Sequence, residues 1–137
     1  MKLKIIGIIG VIIIFIVSCQ SEDQVEFARY YSNGSTIYQS HCQNCHGVKG
    51  EGLQGLIPPL TDTAYLKNNK TTLACSVNYG LKGKITILNR AFEGEMPAND
   101  LAPIDIAKVL TYVTNSFGNK MGIITLTQVN ENLAKCK

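Results

Sequence analysis

No basic cluster follows Lys4, and no apolar run reaches membrane-spanning length, in this 137-residue sequence. With 13 basic and 10 acidic residues, the net charge is only +3. A small, scattered excess of this kind argues against a nucleic-acid binder. The longest apolar stretch, Ile5 to Val17, has 13 residues, whereas a helix needs about 20 to cross a bilayer core of ~30 Å. Room for a second large domain is also missing, because domains average roughly 100–200 residues. A TIM barrel, a two-domain dehydrogenase and a multi-pass transporter are therefore excluded on size. The five cysteines are an odd number, so they do not all enter ordinary disulfides.

Lys2 and Lys4 stand before the short apolar run, and Ser18 and Cys19 follow it. A positive start, a short apolar stretch and a small residue describe a secretory signal. Ile16-Val17-Ser18-Cys19 resembles a bacterial lipobox, in which Cys19 becomes the lipidated first residue through a thioether. The expected organisation is a signal at 1–18, a lipidated polar tether at 19–32, a domain at 33–118 and an extension at 119–137. The expected location is the bacterial periplasm or cell envelope, anchored by lipid to a membrane. Without residues 1–18, two lysines go and 11 basic residues face 10 acidic ones.

Cys42-Gln43-Asn44-Cys45-His46 is a C-x-x-C-H motif, the pattern of c-type haem attachment. Two thiols one helical turn apart can each add to a haem vinyl group, with the following histidine beneath the iron. A thioredoxin-like pair would need a preceding strand, and none is convincing here. A zinc site would need a second ligand pair, and His41, Cys75 and Cys136 lack zinc-finger spacing. An incidental buried pair is the remaining alternative. Pro58-Pro59-Leu60 offers carbonyls outside any ladder. A carbonyl of Pro58 or Pro59 is expected to accept the Nδ1 proton of His46 and so orient the ring.

Gly34, Tyr38, Cys42, Cys45, His46 and Gly47 together resemble the first-helix pattern of class I monohaem cytochromes c. The resemblance covers about residues 33–118. It implies a small all-α fold of about four to five helices around one covalently bound haem c, with iron held by histidine and, usually, methionine. Met96 in Gly94-Glu95-Met96-Pro97-Ala98, fifty residues after His46, resembles the family's ligand loop. Met121 falls after the final family helix, and His41 is expected to face solvent.

Residues 63–81 read as helix broken at Asn68-Asn69, and Ile85, Ile87 and Phe92 as a hairpin over one haem edge, turning at Asn89-Arg90. That segment resembles cytochrome c domains that serve, or are fused to, terminal oxidases and copper nitrite reductases. Tyr38, Pro58, Pro59, Leu60, Ile85, Arg90 and Phe92 are the expected haem-pocket residues, Arg90 either through a propionate or, as is the default for a lone arginine, facing solvent. A helix opens at Pro103, with Asp105 in its first turn. Ile106, Leu110, Val113 and Phe117 form one apolar stripe read as core, and Gly118 a stop. Thr125 to Gln128 reads as a capping box opening an extra C-terminal helix.

One cysteine assigned to lipid and two to haem leaves Cys75 and Cys136, either as a disulfide or as two independent thiols. The expected function is transfer of single electrons between membrane-associated redox proteins: an oxidase, a reductase or a quinol-oxidising complex. The chain is read as a monomer that is not itself an enzyme. A haem-dependent redox enzyme subunit, nitrite- or thiosulfate-linked or a peroxidase, and a gas-sensing haem module are the alternatives.

Overall fold

The computed structural model describes residues 21–136. The expected signal segment and the expected lipidation site, Cys19, lie outside the described residues. Among those described, no helix is long and apolar enough to cross a membrane. The elements are α1 (Glu22–His41), α2 (Gln43–His46), α3 (Thr63–Asn68), α4 (Leu73–Tyr79), β1 (Ile85–Ile87), β2 (Arg90–Phe92), α5 (Pro103–Val113) and α6 (Leu126–Leu133). This is a small all-α fold with one two-residue-turn hairpin and a C-terminal helix added.

α1 and α5 form the main packing pair. α1 begins on acidic Glu22 and Asp23, which face the positive end of the helix dipole. It buries Gly34 and Tyr38. At Gly34 a Cβ would collide with the Lys108 carbonyl of α5 and stand 2.9 Å from Tyr112 Cβ. The absent side chain lets the two backbones touch. α5 opens on Pro103, carries Asp105 in its first turn, and buries Ile106, Ala107, Val109, Leu110, Thr111 and Val113.

Three expectations are corrected here. The tether expected at 19–32 is helical from Glu22 onward, because its aromatics have partners. Phe27 stacks on Tyr31, Tyr31 meets Tyr112 with ring centroids 5.1 Å apart, and the Tyr31 hydroxyl pairs with Ser116 Oγ at 3.0 Å. α5 ends at Val113, so Phe117 is not on the helical stripe but in a left-handed turn at φ 58°. Side chains stop it: Asn115 Nδ2 donates to the Thr111 carbonyl at 2.8 Å, in competition with continued helix. The hairpin turns at Leu88-Asn89 rather than Asn89-Arg90, with φ 49° and 58° and Ile87 opposite Arg90. Both residues in the left-handed region suit a two-residue hairpin loop.

Asp62 stabilises that turn from a distance. Its Oδ1 accepts from Tyr65 N at 3.0 Å, capping α3, and its Oδ2 accepts from Leu88 N at 3.0 Å. α6 opens on the Thr125–Gln128 capping box and packs on α4 and α5. Its own Val129 and the preceding Ile124 are buried. A Cys75–Cys136 disulfide ties α4 to the end of this extension across 61 residues. Closing such a loop contributes about 4 kcal/mol in the chain-entropy view.

Gly34→Val should destabilise the holoprotein by about 3 kcal/mol, since backbone rather than a yielding side chain stands in the way; denaturant unfolding followed by circular dichroism measures it. Asp62 gives a pH dependence. The amides of Tyr65 and Leu88 hold its carboxyl below the usual range, so its contribution is full above the ordinary carboxylate pKa and is lost as pH falls through the lowered value. Asp62→Ala, which removes the cap of α3, should cost about 1 kcal/mol near neutrality, and the gap to wild type should shrink in acid unfolding curves.

Candidate functional site

Tyr38, fully buried at the C-terminal end of α1, donates its hydroxyl proton to the Gly47 carbonyl at 2.6 Å. That bond folds the turn after α1 back on the helix, and Cys42 N still donates to Tyr38 O at 2.9 Å. The single-turn α2 then carries Cys45 and His46 and ends at Gly47, whose φ of 81° needs a glycine. Cys42 is half-buried and Cys45 exposed. Burial, and then the neighbouring Cys45, push the Cys42 thiol up to about 11.

The loop from Gly47 to Leu60 is held by its own backbone. Gly52 N donates to His46 O at 2.8 Å, and Leu60 N to Gly50 O at 2.7 Å. Leu53 and Ile57 pair across a tight turn. These bonds bring the Pro58 carbonyl to 3.2 Å from His46 Nδ1. A carbonyl only accepts, so Nδ1 carries the proton and Nε2 keeps its lone pair. Burial lowers the His46 pKa, against the opposing pull of the Pro58 carbonyl. The shift favours the neutral ring, the form a metal ligand takes.

Two adjoining chambers open beside this ring. The larger, about 830 Å³ including its mouth, is walled by Cys42, Pro59, Leu60 and residues of α3, α4 and α5. The smaller, about 500 Å³, is walled by Cys45, Leu56, Ile57, Phe92 and the 94–97 loop. His46, Pro58, Leu81, Ile85 and Met96 border both. Each chamber therefore has one thiol of the pair, and His46 and Met96 stand where the chambers meet. Met96 is held there by a two-way backbone bridge with Leu81, at 3.0 and 2.9 Å. Gly80, at φ 81°, lets that bridge form, since a Cβ would press on the Met96 carbonyl at 2.5 Å.

Of the residues singled out by sequence, Cys42, Cys45, His46, Pro58, Pro59, Leu60, Ile85, Phe92 and Met96 line this cleft. Tyr38 and Arg90 do not. Tyr38 lies behind the attachment turn, against Tyr112 and Phe117. Arg90 is exposed and sits over the Phe92 ring, 5.8 Å from its centroid. His41 is exposed, and Met121 packs against the core instead of the cleft. The α5 stripe is more than core: Leu110 and Val113, with Val109 beside them, also form cleft wall. Sequence reasoning missed Leu66, Leu73, Val77 and Leu81, all apolar and at helical spacing or just after a helix, but with nothing local to say which way they face.

The walls are almost wholly apolar, with a few polar groups such as Asp62, Asn69 and Ser76 in the larger chamber and Glu95 in the smaller. A large flat apolar group with a metal at its centre fits this lining, and the neutral imidazole and the thioether are donors suited to iron. A comparison with curated proteins finds no match. The family model described as cytochrome c matches residues 31–116, from within α1 to just past α5. That family binds haem c covalently, and its members generally transfer electrons. The match spans well over half the sequence and all of the cleft, and the chain belongs to the cytochrome c family.

Proposed function

We propose that this protein is a single-haem electron carrier whose iron is ligated by His46 and Met96, with the haem attached through Cys42 and Cys45. The observation that carries the reading is the shared border: His46 and Met96 both face both chambers, and each chamber has one thiol. Bound there, the haem supplies one-electron cycling between ferrous and ferric iron. The residues do the rest. Pro58 fixes the tautomer and tilt of His46 and makes it a better donor. Leu81 and Gly80 hold Met96 at the border of the two chambers. The apolar lining would keep water from the iron, and a Met96 thioether ligand would compete with peroxide or gases for it. This favours transfer over catalysis.

The class I subtype, resting on the Gly34–Gly47 pattern, and export with a lipid anchor at Cys19, resting on the N-terminal sequence, complete the proposal. Its partners are then membrane-associated oxidases, reductases or quinol-oxidising complexes. Charges beside the smaller chamber are largely spent on one another, in exposed Lys82–Glu95 and Lys84–Glu93 pairs at 3.5 and 3.4 Å. Electron exchange with a partner should accordingly slow only modestly as salt is added, measured by stopped-flow. A steep salt dependence would show that unpaired charge steers docking.

The ligand assignment is tested by Met96→Ala in recombinant holoprotein. The variant should retain covalent haem but lose the weak far-red band that the family associates with methionine-ligated ferric iron. Spectra identical to wild type would remove Met96 from the ligand set.

A further inference from the structure

Asn119 lies beyond the span shared with the family, which ends at residue 116, and it is 2% exposed. Its side chain joins three separate segments. Nδ2 donates to the Leu60 carbonyl at 2.9 Å and to the Val113 carbonyl at 3.2 Å, while Oδ1 accepts from Thr63 Oγ1 at 2.6 Å. Carbonyls only accept, so the amide has one workable orientation and every bond depends on it.

Leu60 ends the segment that reaches His46. Pro58 and Pro59 have no N–H groups, so neither residue can donate a backbone hydrogen bond to hold itself in place. The Pro58 carbonyl is placed by its neighbours: the Leu53–Ile57 bridge before it and Leu60 after it. Leu60 is gripped at both ends, its N–H by the Gly50 carbonyl and its C=O by Asn119.

We infer that Asn119 is a positioning residue for His46, acting through the Leu60 carbonyl on the Pro58 carbonyl that takes the Nδ1 proton. The inference rests on the proposal that His46 ligates iron. Thr63 holds Asn119 in turn, and the Val113 bond ties the assembly to the end of α5. With Leu60 released, the Pro58 segment drifts, the bond to Nδ1–H weakens, and the imidazole donates less electron density. Ferric iron is then less well stabilised, and the reduction potential rises.

The test compares holoproteins of wild type, Asn119→Leu, Asn119→Asp and Thr63→Val by redox titration and by proton NMR of the ferric state. Asn119→Leu is close in size and loses all three bonds. Asn119→Asp keeps an acceptor for Thr63 but loses the donors to Leu60 and Val113. Thr63→Val leaves the Leu60 bond in place. The expected result is a higher potential and Nδ1–H exchange with solvent faster by roughly fivefold, the worth of one buried hydrogen bond, in both Asn119 variants. Thr63→Val should shift both in the same direction by less. Lower thermal stability with potential and exchange unchanged would reduce Asn119 to a packing role and overturn the inference. Should Asn119→Leu fail to fold, Asn119→Asp and Thr63→Val decide between these outcomes. Absence of hyperfine-shifted His46 ring protons in wild type would instead overturn the ligand assignment.

Discussion

At Gly34 the backbone of α1 rests on the Lys108 carbonyl of α5, with no side chain between them, and both halves of the haem cleft take their positions from that crossing. Toward its C-terminal end, α1 delivers Tyr38 into the angle between Tyr112 and Phe117. The Tyr38 hydroxyl then holds the Gly47 carbonyl, so the turn bearing Cys42, Cys45 and His46 is built on the packed helix pair. α5 supplies Val109, Leu110 and Val113 to the opposite wall. A wider crossing would move the attachment turn and the wall apart together.

The remaining walls are mostly irregular chain, and backbone bonds do there what helices do elsewhere. The loop after His46 folds on Gly50 and Gly52, both at positive φ. The loop before α5 is anchored by the Leu81–Met96 bridge. The two approach each other at Gly94, where a Cβ would come within 2.7 Å of the Leu56 carbonyl. Glycine recurs because a cleft for a large group has to be closed by loops that nearly touch. The family-matched span ends at residue 116, and the extension after it is bound to the domain at several points, among them Asn119, the Thr111–Ile124 bonds and the disulfide to α4.

What the sequence discloses well is what is decided locally. The C-x-x-C-H spacing, the Pro103 start of α5 and the Thr125–Gln128 capping box each involve residues within a turn of one another, and the structure shows the helices there. Tyr38 is conspicuous for the same reason, yet its supporting role depends on Gly47 curling back, which nothing local in the sequence announces. Arg90 lies over Phe92 because the turn is shifted by one residue from where the sequence suggests it. The helical character of residues 22–32 rests on Tyr112 and Ser116, some eighty residues away. Asn119 gives no local signal at all: a single polar residue after a glycine looks like surface until Leu60, Thr63 and Val113 converge on it.

The unbroken course of α1 has a mechanical consequence. Twenty residues of helix make a rod of about 30 Å, braced along its length by α5 and by the Phe27–Tyr31–Tyr112 contacts. The distance from Glu22 to the attachment turn is thus set by a strut and does not fluctuate as a loose chain would. The attachment turn moves with Glu22 as one rigid piece, and the redox centre is mechanically continuous with the far end of the domain.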